Sequence, residues 1–509
     1  MRGNKLLSIN RSLLRSDKMI AQLFIAFIFL CSRINASSNF YPRYHLAPPK
    51  GWMNDPNGFC FFNGEYHLFY QYNPESSYEP GIAHWGHAKS VDLFHWQHLP
   101  IAMYPDQWYD VGGVFSGSCI VDDNTMNLYY TGNVNHKGET PDHNQYQALA
   151  TSTDGVTVTK FEMNPVINGS EYQPDLRDPK VWKHGDKYYM VLGNSFIGSN
   201  NEKLGRALLW VSTDKINWEM ASVLLESDGK LGYMFECPDF FELDGYHVLL
   251  FSPQGIKPEG DKYRNLYQTG YVIGNFDYDT NVFTPIYSFK EFDHGHDLYA
   301  TQTTLDDDGN RVVVCWMDMW EQNYPENNEG FTGHMTIPRV IRLTKDGRIL
   351  QKPVKYISEA RGRTIHSGKT RGDKVIALDD NTGEIIIETT RMRDLELLIE
   401  SNSSVVKISY NQARGLITLD RGGNDGVRRT NWKPKGKLIW KIYIDGSSIE
   451  LFCGEGEVVF SSRFFPTGPV SVRLGKRSEA DNMRVSSMKR TVDIKPEDVP
   501  TDDVPNESP

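Results

Sequence analysis

The sequence predicts an all-β protein in two parts, a five-bladed β-propeller over residues 40–350 followed by a β-sandwich over residues 360–490. Three observations lead there. Helical periodicity is scarce, and short runs of β-branched and aromatic residues separated by turn formers take its place. A strand–turn–strand unit recurs five times, with turns centred near Gly64, Asn124, Gly185, Gly245 and Gly309. Beyond about residue 350 that period stops while strand-like runs continue, which separates a second domain from the first. A single large sandwich with accidental spacing is the competing reading, because propellers and sandwiches share strand signatures.

Taken in order, the chain opens with a targeting segment. Arg2, Lys5, Arg11, Arg15 and Lys18 precede the apolar stretch from Ile20 to Cys31, and Ala36-Ser-Ser38 offers small residues for cleavage. That stretch is shorter than the roughly 20 residues a bilayer requires, so residues 1–36 read as a signal peptide of a secreted protein, with no membrane anchor after its removal. Met19 is an alternative start. The remaining chain holds 48 basic and 64 acidic residues, a balance that argues against a nucleic-acid partner. Five cysteines remain, none at metal-ligand spacing. Asn168-Gly-Ser170 and Asn402-Ser-Ser404 fit the glycosylation pattern. The end, residues 491–509, is acidic and Pro-rich and reads as a disordered tail.

The five units are Phe59–Tyr70, Cys119–Tyr130, Val181–Leu192, Phe240–Phe251 and Thr304–Cys315, each a strand, a polar turn and an apolar strand. A second element follows each: Ala88–Trp96, Ala150–Gly155, Val211–Trp218, Ile273–Asp277 and Arg342–Gly347, read as outer strands of the same units. Units this small cannot bury both faces alone, so they must pack side by side. In the second domain the strand-like runs are Lys374–Leu378, Glu384–Glu388, Val405–Tyr410, Lys437–Ile444 and Ser448–Phe452.

The innermost strand of a propeller blade lines the central channel, so the phase of each carboxylate matters. Asp55 lies nine residues before its turn, Glu236 nine before its own, and Asp178 seven before its own. Ser116 in the second unit and Tyr299 in the fifth fall at the equivalent place. Three acids from three blades are therefore expected at one end of the channel, and mutual repulsion among them points to chemistry rather than stability. Paired carboxylates about 5 Å apart suit glycoside cleavage with retention. Plainer readings stand beside this one. Asn54-Asp-Pro-Asn-Gly58 is a good turn, and Asp178 beside Arg177 suits a structural ion pair.

These residues also carry a resemblance. Trp52-Met-Asn-Asp-Pro-Asn-Gly58, Phe69-Tyr-Gln-Tyr-Asn-Pro74, His84-Trp-Gly-His87, Phe115-Ser-Gly-Ser118, Arg177-Asp-Pro179, Glu236-Cys-Pro-Asp239 and Asp297-Leu-Tyr-Ala-Thr-Gln302 are similar to the β-fructofuranosidases of glycoside hydrolase family 32. So are Tyr443–Phe452 and Ser462–Pro466 in the second domain. The resemblance implies a retaining hydrolase of terminal β-D-fructofuranosides, sucrose foremost, with small sugars as its only partners and no cofactor or metal. It implies Asp55 as nucleophile, Glu236 as acid/base and Asp178 as stabiliser of the transition state. Asn54, Gln71, Ser116 and Arg177 are implied as fructose-binding residues, with Trp52, Phe115, Tyr299 and Trp316 around the pocket. On these roles Asp55 and Asp178 are expected to raise the pKa of Glu236 by like-charge repulsion, and Arg177 to keep Asp178 ionised. His84 and His87 read as structural. One departure is visible. Many members carry a Trp shortly before His-Trp-Gly-His, where this chain has Tyr78-Glu-Pro-Gly81, which leaves the leaving-group side open. A fructosyltransferase and an inactive fructan-binding protein are the alternative functions.

Overall fold

The computed structural model describes residues 40–493, of which residues 42–493 belong to one compact unit. The leader at residues 1–36 and residues 494–509 of the tail lie outside the described residues, while residues 491–493, read as the start of that disordered tail, are held instead, with Thr491 and Val492 buried and bonded to Arg43 and Trp96. Five antiparallel sheets come first. The inner strand and its hairpin partner are Gly51–Phe62 and Glu65–Asn73, Gly113–Asp122 and Thr125–Asn135, Leu176–His184 and Lys187–Ile197, Met234–Leu243 and Tyr246–Gln254, and Tyr299–Leu305 and Arg311–Trp316. Each inner strand packs against the next, and the fifth returns to the first, which closes the ring. Phe331–Thr332 completes the closure by pairing in parallel with Gly51–Trp52, adding a strand to the first blade from a segment inserted in the fifth.

The second repeated element is the end of the third strand plus the turn that leads to the fourth, rather than an outer strand by itself. The reason is a turn written in the sequence. Asp92 Oδ1 accepts the N–H groups of Phe94 and His95. Asp154 does the same for Val156 and Thr157, Asp214 for Ile216 and Asn217, and Asp277 for Asp279 and Thr280. In the first three blades a serine two residues earlier adds its hydroxyl to the aspartate. A short carboxylate side chain that caps its own turn explains why Ser-x-Asp recurs with the blade period.

Below its mouth the channel is filled, not open. Lys180 and Asp239, both buried, pair at 3.0 Å, and Lys180 also donates to Gln302 Oε1 at 3.0 Å and to the Thr303 carbonyl at 2.7 Å. Three blades are thereby tied across the axis.

Residues from Arg361 onward form two six-stranded sheets facing each other. Strands such as Leu395–Glu400 and Leu416–Asp420 alternate buried and half-buried positions, as expected of a sheet with one face in a core. Ile385, Ile387, Leu397, Ile408, Leu419, Trp440, Leu451 and Val472 fill the space between them. The run Lys374–Leu378 yields only the two-residue strand Ile376–Ala377, while the long strands Arg361–Arg371 and Glu479–Met488 carry too many polar residues to be read from periodicity. No helix among the described residues is long and apolar enough to cross a membrane.

Candidate active site

Each inner strand breaks register near its entry into the channel, and the first breaks it again between Asn57 and Cys60. The shifts fall between Met53 and Pro56, Phe115 and Gly117, Glu236 and Asp239, and Tyr299 and Thr301, and opposite Arg177–Lys180 in the third blade. An extra residue in one strand turns a side chain that would lie on a sheet face towards the axis instead. Three of these residues adopt left-handed backbone, Asp178 at φ 66°, Cys237 at 46° and Ala300 at 44°. Such conformations cost energy in non-glycine residues and gather at functional sites. Asp55-Pro56, Asp178-Pro179 and Cys237-Pro238 put a proline at the bulge, where the lost N–H is not needed by the sheet.

The side chains so aimed meet. Asp55, 9% exposed, accepts Asn54 Nδ2 at 3.0 Å on one oxygen and Ser116 Oγ at 2.8 Å and Cys237 Sγ at 3.3 Å on the other. Trp52 Nε1 donates to Asn54 Oδ1 at 3.0 Å and so orients the amide towards Asp55. Cys237 also donates its backbone N–H to Asp178 Oδ2 at 2.9 Å, and it follows Glu236 in the chain. One residue thus links all three acids. Asp178 donates its own N–H to Thr131 Oγ1 at 3.0 Å. Gln71 donates to the Val114 carbonyl at 3.0 Å, bracing the strand that carries Phe115 and Ser116.

Glu236 is the most open of the three, with 17% of its side chain exposed. Arg177 reaches its Oε1 with Nε at 3.1 Å and Nη2 at 2.8 Å, and Gln254 Nε2 reaches Oε2 at 2.8 Å. The Tyr299 hydroxyl donates to the same Oε2. Arg177 continues to Asp175 at 2.9 Å. The guanidinium therefore grips Glu236 and Asp175, and its expected direct bond to Asp178 is not made; two bulged strands leave Asp178 facing Cys237 instead.

The electrostatics follow from burial. Loss of water, then repulsion from Glu236, lifts Asp55 above the ordinary carboxylate range, while the bonds from Asn54, Ser116 and Cys237 pull it back. Asp178 is lifted to about 7, first by burial and then by Glu236 and Asp55, against the pull of Arg177. Below that pH the empty site carries a proton on this cluster.

Trp52 stacks on Trp320 at 6.3 Å and 20°, and Trp316 stands behind both, 4.9 Å from Trp320. Trp316 and Tyr299 are each 0% exposed, so neither offers a face to a sugar. Trp316, paired across the sheet with Tyr299, packs against Trp52 and Trp320 and backs the wall, and the half-buried Trp320 supplies the surface expected of it. Phe115 remains partly exposed at the mouth. Tyr78, exposed, donates to Asn328 Oδ1 at 3.2 Å at the rim. His87 contacts His67 at 3.0 Å and stacks on Phe69 at 3.9 Å, and His84 contacts the Ile82 carbonyl at 3.1 Å. Asp297, quoted in the fifth repeat, turns away from the pocket to Arg421 and Arg463 of the sandwich. Sequence reasoning missed Cys237, Gln254, Thr131, Asp175 and Trp320. A signal existed for Gln254, because the second strands of the first two blades also end in polar residues, at Asn73 and Asn135.

Comparison with known proteins agrees with this architecture. Residues 45–353 match the model of the glycosyl hydrolases family 32 N-terminal domain, and residues 358–494 the model of the family 32 C terminal. The raffinose invertase of Escherichia coli is 38% identical over 438 residues, which cover 84% of this chain and 90% of that protein. A sucrose-6-phosphate hydrolase of Zymomonas mobilis is 38% identical over 459 residues, covering 84% and 88%. Among solved structures, a family 32 β-fructofuranosidase mutant of Bombyx mori in complex with sucrose is 40% identical, with a TM-score of 0.83, and the match covers 93% of this chain and 99% of that one. A ring of five blades carrying three converging carboxyls, joined to a sandwich and matched along both halves by the two family models, places this chain in glycoside hydrolase family 32.

Proposed function

We propose that this protein is a retaining β-fructofuranosidase that hydrolyses terminal non-reducing β-D-fructofuranosides, sucrose foremost, through a covalent fructosyl–enzyme intermediate. The observation that carries the reading is the linkage of Asp55, Asp178 and Glu236 through Cys237. Asp55, buried and held by three donors, is fixed for in-line approach to C2 of fructose. Glu236, nearer solvent, protonates the glycosidic oxygen as the C2–O bond breaks, and the partner sugar leaves. It then takes a proton from water as the water oxygen attacks C2 and releases Asp55. Asp178 binds ring hydroxyls. Burial and then repulsion lift its pKa, and the repulsion relaxes when positive charge develops at C2, so its interaction is strongest in the transition state. Arg177, Gln254 and Tyr299 hold the Glu236 carboxyl in place for both proton transfers.

The test is an assay of purified protein on sucrose, inulin and maltose, with the anomer of the released fructose followed by NMR. Sucrose cleavage with initial release of β-fructose supports the reading; maltose cleavage without sucrose cleavage refutes it. Oligosaccharides growing at high sucrose would favour transfer over hydrolysis. The leader read at residues 1–36 assigns this activity to the outside of the cell, where the exposed Asn168 and Asn402 would carry glycans. An N-terminal sequence of secreted protein beginning near residue 37 is the expected result, and retention in the cytosol contradicts it.

A further inference from the structure

An exposed aromatic shelf stands beside the pocket. The loop from Tyr104 to Gly112 joins the first two blades on the side where Asp55 and Ser116 sit, since the strand ahead of it ends there and the Ser116 strand begins there. It presents Trp108 with 64% of its surface exposed, although a tryptophan seldom stays in water without a use. Trp108 meets the half-buried Tyr146 edge to face at 5.5 Å, and Tyr109 at 5.6 Å.

The loop is built to hold this ring still. Lys160 Nζ contacts Asp106 and Asp110 at 2.6 Å each and the Tyr104 carbonyl at 2.5 Å. The buried Asp110 also accepts from the Tyr130 hydroxyl at 2.9 Å, and Asn164 donates to the Tyr109 hydroxyl at 3.0 Å. Two further apolar side chains are exposed on this edge of the first two blades. Val111 is 56% exposed and Ile82 is 54% exposed. The carbonyl of Ala83, next to Ile82, accepts the N–H of Val114, next to Phe115 at the mouth. Tyr146 pairs with Gly132, and Thr131 pairs with Phe115, so Tyr146 lies at the level of the mouth, two strands outward, roughly 10 Å at the usual strand spacing.

We propose that Trp108 and Tyr146 form a binding platform for the distal sugar units of an oligomeric fructoside whose terminal fructose occupies the Asp55 pocket. The inference deepens the proposed function and rests on it. Sugar rings present flat C–H faces that pack on aromatic rings, and a shelf at the level of the mouth but displaced outward meets units beyond the first leaving-group sugar. A disaccharide spans the pocket without reaching it.

The experiment compares wild type, Trp108→Ala, Trp108→Phe and Tyr146→Ala on sucrose and on inulin. Because Trp108 is exposed and its loop is held by other side chains, the variants keep the fold, and a circular-dichroism melt checks that. The expected result is kcat/KM for sucrose within about twofold of wild type and kcat/KM for inulin lowered at least fivefold through KM, with partial recovery in Trp108→Phe. Equal losses on both substrates, or no loss on inulin, overturn the proposal. So does light scattering that shows a wild-type dimer split by Trp108→Ala, which would make the shelf a contact between copies. If wild type cleaves neither sugar, the reading of the site fails, and the shelf is judged by inulin binding alone. A fivefold weaker affinity in Trp108→Ala then sustains it, and an unchanged affinity overturns it.

Discussion

Two regions of this protein each bury several carboxylates, the pocket and the seam around Arg339, and they treat them in opposite ways. At the pocket, Asp55, Asp178 and Glu236 have one guanidinium beside them, that of Arg177, and it bonds Glu236 and Asp175 but neither Asp55 nor Asp178. Asp55 and Asp178 are both lifted above the ordinary range. At the seam between propeller and sandwich the charges are matched. Arg339, 0% exposed, reaches Glu450 at 2.5 Å and Asp293 at 3.2 Å, and His45 bridges Asp445 and Glu450 at 2.8 Å each. Burial alone would raise Glu450, yet Arg339 and His45 hold it below its usual value, and His45 is raised to about 9 by the same partners. Arg463 bridges Asp318 and Glu326 at the same seam, but there burial prevails and both acids stay lifted, so the matching is complete only around Glu450. The difference teaches where stability has been surrendered. A matched set fixes two domains to each other; an under-matched set keeps protons and charge available for reaction.

That contrast can be broken from either side. The largest effect is expected on chemistry. Asp55→Ala should lower kcat by roughly 10⁴-fold or more while the melting curve stays near wild type, because nucleophile loss removes a covalent path and no packing. Near-normal turnover in that variant would remove Asp55 from the role. At the seam, Arg339→Met should destabilise by about 3–5 kcal/mol, because Glu450 and Asp293 are left buried without their partner. Denaturant melts measure it, and an unchanged midpoint would show that the matched set adds nothing.

Asp178→Asn sharpens the comparison, since activity and stability should move in opposite directions. Its folded pKa, about 7, exceeds the unfolded value, so the folded state binds the extra proton between about pH 4 and 7 and stability falls as pH rises through that window. The variant should therefore lose turnover, yet gain up to about 4 kcal/mol at pH 8 and almost nothing at pH 4. A destabilised variant at pH 8 would contradict the repulsion. His45→Gln has the reverse sign. The stability supplied by His45 is complete below about pH 6.5 and is lost as pH rises through about 9, so the variant should cost about 1–3 kcal/mol at pH 6 and less at pH 10. The smallest effect is expected at Cys237→Ala, about a fivefold fall in kcat/KM with its acid limb moved to higher pH, because Asp55 loses one donor. Cys237→Ser should restore most of it, which loss of packing alone would not allow.

How much of this was legible depended on distance along the chain. The hairpins and their turns are local, so Gly64, Gly185 and Gly245 and the Ser-x-Asp turns mark them in the sequence. Their period placed Asp55, Asp178 and Glu236 at one phase, and the ring turned phase into proximity. The bulges were half visible, as three prolines in strands that otherwise read as central. Cys237 was not visible as a link, since its two partners lie 182 and 59 residues away. The seam was equally hidden, with His45 and Glu450 separated by 405 residues.

By itself the sequence determined which segments become strands, where they turn and how often the unit repeats, because side-chain alternation and turn chemistry act between near neighbours. Which nitrogen faces which carboxylate was decided only when five blades closed on an axis and the sandwich docked on them. The charge state of a buried acid depends on everything within a few ångströms, and that neighbourhood is assembled from residues the chain keeps far apart.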